Sequence, residues 1–378
     1  MSIRKTLLYV AACVGFSAVC LVVIVAGLAY RYLVAGVNPF REMKAAAWGE
    51  SIEIKDHNEP DGRQLRQLLI DGIDHGSQYS GKKKMAGDQV ANWSRLPTSY
   101  YHRDGPVGMA FSKLDSMSVR NQNWPNADSR LPATLVGGAA LCPTTGPWSV
   151  LNSVWSQPPV GVIMMNNGTL AAYARPYQFL DFYESNPGIV RLSLENNPSA
   201  RKFTYIEDAK TRGAHVRLFA GPERQTFEKE SPKNFYHLLI VDTSRGHPGL
   251  PSKNLLTREA WKGYLEALTE DGVVCVHTSS RDFDLAKLVA STTQDLGLAH
   301  LRIHDGLDER AVGHYTSEWV LVARQKQYLS HIIELGGLIK VMQGNRQPHQ
   351  KLEIDVLPTS PGLRWTDAGA NSLAPVRR

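Results

Sequence analysis

Residues Val160 to Asn186 run VGVIMMNNGTLAAYARPYQFLDFYESN, a layout of strand, tight turn, helix start and second strand. Val160, Val162 and Ile163 make a short apolar run that suits a buried parallel strand. Gly168 to Ala174 reads as the start of a helix, and Leu180 to Tyr183 as the next strand, which Glu184 closes. In nucleotide-binding units of this kind the first turn brings backbone N–H groups against the ligand, and an acidic residue roughly 20 positions on takes the ribose hydroxyls. Glu184 stands in that place. The turn itself, Met164-Met165-Asn166-Asn167-Gly168, holds a single glycine where a glycine-rich loop supplies several. Asparagine tolerates positive φ, so Asn166 suits the turn, whereas Met164 puts a long side chain where a ligand needs bare backbone.

Outward from this unit, strand and helix patterns alternate over residues 159–325. Val160–Met164, Leu180–Tyr183, Val216–Phe219, Leu238–Val241, Val273–His277 and Trp319–Ala323 read as strands, with helices between them. That alternation implies an α/β fold, a doubly wound, mostly parallel sheet covered on both faces. Residues 31–112 carry short β-like runs and turns, including Ser51–Lys55 and Leu68–Asp71, and read as a small β-rich domain. Residues 113–158, rich in Pro, Gly, Asn and Ser, read as an irregular connection. Residues 326–378 begin as a helix and finish as a tail.

Composition bounds the class. With 378 residues, 43% of them hydrophobic, the chain can bury a substantial core and is not of disordered type. Leu7 to Tyr30 is an uncharged apolar run. At about 1.5 Å per residue it is long enough for a hydrocarbon core of roughly 30 Å, so a transmembrane helix is expected over residues 7–30. Arg4 and Lys5 on one side and Arg31, Arg41 and Lys44 on the other do not fix its orientation. Cys13 and Cys20 lie in that run, and Cys142 and Cys275 are far apart, so no disulfide framework is suggested. The net charge of +6 is spread along the chain, with Lys82, Lys83 and Lys84 as a solvated cluster. Nothing points to nucleic acid.

Asp242 ends the fourth strand pattern, at the carboxyl end of a central strand beside the crevice where open α/β sheets bind ligands. It is the expected catalytic residue. The run around it, Val241-Asp242, then Leu255-Leu256-Thr257-Arg258-Glu259, Asp271-Gly272-Val273 and Val276-His277, resembles the polyamine aminopropyltransferases (spermidine synthase-like family), and more closely their membrane-fused relatives. Further stretches in the same order are similar to that family: Ile70 to Gln78 (IDGIDHGSQ), Tyr100 to Gly108 (YYHRDGPVG) and Trp365 to Leu373 (WTDAGANSL). The resemblance covers about residue 50 to the C-terminus, with a gap over 113–158.

The resemblance implies a Rossmann-like fold of the class I SAM-methyltransferase type. The implied activity lies in polyamine biosynthesis: transfer of an aminopropyl group from decarboxylated S-adenosylmethionine to a polyamine amine, with no metal. It implies no tightly bound cofactor, the decarboxylated or ordinary S-adenosylmethionine being a co-substrate. Asp242 would orient or deprotonate the amine. Glu184, with Gly168, Asn166 and Gly221, would hold the donor, and Gln78, Tyr100 and Tyr101 would line the substrate side. The expected partners are a lipid membrane through residues 7–30, a polyamine and, left open, a second copy of the chain, with the globular part in the cytoplasm where such a donor is made.

The chain departs from the family's pattern at the donor site. Met164 and Asn166 replace two loop glycines, the acidic pair after the second strand reads Glu184-Ser185-Asn186, and Gly221-Pro222-Glu223-Arg224 carries Pro222 in place of an acid. Arg245 or His247 stands where a second acid follows Asp242. Two readings follow: a transferase using an adenosyl-sulfonium donor for aminopropyl or methyl transfer, and a catalytically silent relative that keeps the fold as a binding or interaction module. His75, His102, His247 and His277 come from separate segments without metal-ligand spacing and read as structural or solvent-facing.

Overall fold

The computed structural model describes residues 51–59, 63–80, 82–84, 90–121, 157–197, 201–243, 253–280, 283–307, 313–334, 350–360 and 363–368. The first element is an antiparallel sheet of β1 (Ile52–Asn58), β2 (Gln64–Ile70) and β3 (Ile73–Ser80). β2 and β3 are joined through Asp71 and Gly72, at φ 51° and 79°. Both signs are those a two-residue hairpin needs to match the right-handed twist of its strands. A short ribbon of β4 (Lys82–Lys84) and β5 (Val90–Asn92) follows. Helix α1 (Pro106–Asn121) then begins on Pro106, whose missing N–H costs nothing in a first turn. The sequence reading had expected β-like runs and an irregular connection there.

The main sheet has eight strands: β6 (Val160–Ile163), β7 (Phe179–Glu184), β8 (His215–Ala220), β9 (Tyr236–Asp242), β10 (Leu268–His277), β11 (Ala299–Leu307), β12 (Ser317–Ala323) and β13 (Gln350–Asp355). Their order across the sheet is β13-β11-β12-β10-β9-β6-β7-β8. The run from β8 to β10 is parallel, while β12 is antiparallel to β10 and β11, and β13 to β11. The sheet is therefore mixed, with an antiparallel end that the sequence reading did not contain. Neither β11 nor β13 is among the strands expected from the sequence. They are tied by Arg302, whose Nε and Nη2 donate to the Asp355 carboxylate at 2.8 and 2.7 Å.

Five helices pack on the sheet with α1: α2 (Pro187–Leu194), α3 (Tyr205–Thr211), α4 (Glu223–Glu230), α5 (Arg258–Ala267) and α6 (Leu285–Asp295). One buried cluster joins the strands to α1, α2 and α3, and a second joins them to α4, α5 and α6. Strand alternation divides the side chains between the two: Leu238 and Ile240 enter the first, Leu239 and Val241 the second. Every residue of β9 is buried, as expected of a central parallel strand covered on both faces. Each such Leu, Ile or Val contributes roughly 1.5–3 kcal/mol through its burial.

From β6 the chain runs outward to β7 and β8, then returns to β9 on the other side of β6. The carboxyl ends of β6 and β9 therefore border the crevice where the strand order reverses. The helix expected between β6 and β7 is only a 3-10 turn, Thr169–Tyr173. Pro176 explains this, because it biases Arg175 toward extended backbone and stops the turn from lengthening.

The expectation of a single-pass membrane protein with a cytoplasmic domain is corrected. Among the described residues no helix is long and apolar enough to cross a membrane, and residues 7–30 lie outside them. The longest described helix, α1, has 16 residues and contains Lys113, Asp115 and Arg120. Arg245, His247 and residues 122–156 also lie outside the described residues.

Candidate functional site

Register places Asp242 at the last position of β9, opposite His277 of β10, and His277 opposite Trp319 of β12. Asp242 is fully buried, and its two oxygens are held by side chains from three distant segments. Tyr101 Oη donates to Oδ2 in a short contact, and Asn166 Nδ2 donates to the same oxygen at 2.9 Å. Asn166 Nδ2 also donates to Tyr101 Oη at 2.9 Å, which closes a triangle. On the other side His277 Nδ1 meets Oδ1 at 3.0 Å. Burial, and then the charge of Asp242, push the Tyr101 phenol well above its ordinary range, so it stays protonated as a donor.

His277 contacts two aromatic rings. Trp319 stacks on it with centroids 4.3 Å apart, and a tilted Tyr100 ring lies at 4.5 Å. Its Nε2 lies 2.9 Å from Ser279 Oγ, and that oxygen accepts the Glu318 backbone N–H at 2.7 Å. With its proton on Nδ1 the neutral ring donates to Asp242, and its Nε2 accepts the Ser279 hydroxyl hydrogen.

The surroundings of Glu184 are built differently. Glu184, at the end of β7, is fully buried. Its Oε2 accepts the Met165 N–H at 3.0 Å and its Oε1 the Asn186 N–H at 2.8 Å. Asn186 in turn caps α2, accepting from Gly188 and Ile189. The expected ribose acid is thus bonded to its own turn. In that turn Met164, Asn166 and Gly168 take φ 70°, 50° and 77°. Glycine-like backbone persists under non-glycine side chains, at a cost of about 1–3 kcal/mol for a residue such as methionine. The Met164 side chain is buried in the cluster with Tyr183, Phe227 and Trp365.

Gly221, after β8, donates its N–H to the Glu184 carbonyl at 3.0 Å. Pro222 begins α4 and lines an open groove of about 490 Å³ with Leu218, Phe219 and Thr226. Open space therefore lies beside the edge strand, while Asp242 and Glu184 are covered. Arg224 turns away from that groove. Its guanidinium donates to the Asp367 carboxylate at 2.9 and 3.1 Å and to Thr257 Oγ1 at 2.8 Å. Thr257 Oγ1 donates to Asp367 at 2.7 Å, and Arg258 N–H to the Trp365 carbonyl at 2.8 Å. Two of the segments quoted for the family resemblance thus meet as a brace at the start of α5.

Of the expected site residues, the structure brings together Asp242, Tyr101, Asn166 and, through His277, Tyr100. Glu184 and Gly221 lie at the same carboxyl edge on the far side of β6. Gln78 is elsewhere. Its amide donates to the Ser94 carbonyl at 2.8 Å and Thr204 Oγ1 at 3.0 Å, and accepts the Thr204 N–H at 2.9 Å, joining β3 to the start of α3. At Gly168 a Cβ would stand 3.1 Å from Ile206 Cγ1, so the turn packs closely on α3. His277, Ser279 and Trp319 were missed. The available signal was that alternate residues of an extended chain share a side, so His277 and Ser279 face alike next to the strand ending in Asp242.

No protein-family model matches the sequence, and no curated protein matches it. Several solved structures are similar to this chain at low identity. A probable spermidine synthase from Corynebacterium glutamicum is 12% identical, with 86% of this chain and 92% of that one covered and a TM-score of 0.42. Spermidine synthase from Thermotoga maritima is 12% identical over 86% and 84%, with a TM-score of 0.40. A putative O-methyltransferase from Klebsiella pneumoniae is 12% identical over 56% and 89%, with a TM-score of 0.30. The strand order by itself defines the class, a Rossmann-like mixed α/β sheet preceded by a small antiparallel sheet.

Proposed function

We propose that this chain is a spermidine synthase-like protein whose aminopropyl-transfer site is closed by its own side chains, leaving it silent in that reaction and acting as a binding module. One observation carries this reading: both carboxylates the chemistry needs are fully buried and bonded within the chain, Glu184 by backbone N–H groups and Asp242 by Tyr101, Asn166 and His277. A donor would have to displace the turn from Glu184, and an amine would have to displace Tyr101 from Asp242. Calorimetry with decarboxylated S-adenosylmethionine, S-adenosylmethionine and methylthioadenosine tests it. The expected affinities are weaker than about 100 μM, or about −5.5 kcal/mol. Low-micromolar binding, or turnover with putrescine, would overturn it.

The second reading is aminopropyl transfer, favoured by Asn166 Oδ1, a buried oxygen with no partner among the described residues. An amine N–H placed beside Asp242 would satisfy it. In that reaction the amine nitrogen attacks the carbon next to the sulfonium, the C–S bond breaks to release methylthioadenosine, and Asp242 takes the proton. Putrescine-dependent release of methylthioadenosine that Asp242→Asn abolishes would select this reading. Release of a methyl group from S-adenosylmethionine would select methyl transfer instead.

A further inference from the structure

We infer that Ser279, His277 and Asp242 form an acyl-transfer triad at the carboxyl edge of β10, able to take the acyl group of a small carboxylic ester. The inference does not rest on the reading above, because it gives Asp242 a role that its burial permits: holding an imidazole instead of binding an amine. Three features carry it. The distances, 2.9 Å from Ser279 Oγ to His277 Nε2 and 3.0 Å from Nδ1 to Asp242 Oδ1, are hydrogen-bond distances along one line of proton transfer. The contacts also allow the proton placement the relay needs, with Nδ1 donating to Asp242 and Nε2 accepting from the hydroxyl. Burial is graded as such a relay needs: Asp242 and His277 are buried, while Ser279 is partly exposed.

The neighbours stiffen the arrangement. Trp319 stacks on the imidazole and Tyr100 packs against it. The Glu318 N–H occupies one lone pair of Ser279 Oγ and leaves the other for attack. In the reaction that lone pair forms a bond to the acyl carbon while the hydroxyl proton passes to His277 Nε2. The tetrahedral adduct then expels the alcohol, which takes the proton back from Nε2. Water, deprotonated by the same nitrogen, cleaves the acyl-serine to carboxylic acid and restores the hydroxyl. Ser279 is the nucleophile and His277 the general base. Asp242 is a positioning residue.

The test uses the full chain and a fluorophosphonate probe, in which Ser279 Oγ would form a bond to phosphorus as fluoride leaves. Peptide mass spectrometry should find one adduct, on Ser279, absent in Ser279→Ala. Labelling should fall roughly a hundredfold in His277→Gln, the scale of losing a general base. Because His277 is buried and its variant could misfold, the native protein supplies an independent measurement: it should hydrolyse p-nitrophenyl acetate, and prior labelling by the probe should abolish that hydrolysis. No adduct on Ser279, or no ester hydrolysis that the probe abolishes, would overturn the inference, as would a folded His277→Gln that labels at the native rate.

Discussion

Asp242 and Glu184 end two strands of the same parallel run, separated only by β6, yet they are held by different means. Asp242 is held by side chains brought from Tyr101, Asn166 and His277, and Glu184 by the N–H groups of Met165 and Asn186. A carboxylate held by side chains depends on tertiary packing and can be emptied by one substitution. A carboxylate held by adjacent backbone is part of the turn itself. Asp242 is therefore covered by a removable assembly, and Glu184 by the local fold.

The largest effect should come from the first kind of closure. Asp242→Ala strips the acceptor from Tyr101, Asn166 and His277 at once, in a region with no water access. Buried donors without partners cost about 1–3 kcal/mol each, so urea denaturation should show a loss of about 3–5 kcal/mol. Glu184→Gln keeps an acceptor oxygen but loses charge and one lone-pair-bearing oxygen. It should cost about 2–3 kcal/mol by the same measurement. If the order were reversed, the side-chain assembly would not be the stronger closure.

Much of this contrast was not legible in the sequence. The strand run from β6 to β10, the carboxyl-end positions of Glu184 and Asp242 and the positive φ suited to Asn166 follow from short-range pattern. The contact of Tyr101 with Asp242 spans 141 residues of chain, and no local period reports it. The brace of Arg224 on Asp367 is hidden for the same reason. His277 looked like an ordinary histidine, because its partner sits on the neighbouring strand and only register brings them opposite. Pro176, which suppresses the helix after β6, was visible but was outweighed by the apolar run Leu170-Ala171-Ala172.

A third prediction concerns the strap that covers Asp242. His102, next to Tyr101, stacks on His314 with centroids 4.2 Å apart, and His314 Nε2 meets the buried Asp305 carboxylate at 2.7 Å. Burial first, and then the charge of His314, lower the His102 pKa to about 4, against the weaker opposing pull of Asp104. The unfolded chain, with a histidine pKa near 6.5, then binds more protons than the folded one between about pH 6.5 and 4. Stability contributed by the neutral ring is complete above that window and is lost as pH falls through it. The loss should reach about 2 kcal/mol once solvent screening of the partly exposed ring is allowed for. His102→Phe should flatten this part of the denaturation profile, and an unchanged slope would remove His102 as its source.

The smallest effect separates two meanings of Met164. Its backbone keeps the left-handed conformation at φ 70°, while its side chain is buried with Tyr183, Phe227 and Trp365. If the side chain blocks the backbone approach an adenosine needs, Met164→Gly relieves strain and reopens that approach without disturbing Asp242. Asn166 must stay, because replacing it would cut two hydrogen bonds, to Tyr101 and Asp242. Methylthioadenosine affinity measured by calorimetry should then rise about tenfold, or about 1.4 kcal/mol, from a weak native value. Glu184 limits the gain, since its oxygens remain on the Met165 and Asn186 N–H groups. A variant that loses stability with no gain in affinity would show that Met164 serves the core alone and that the backbone bonds to Glu184 are the whole of the donor-side closure.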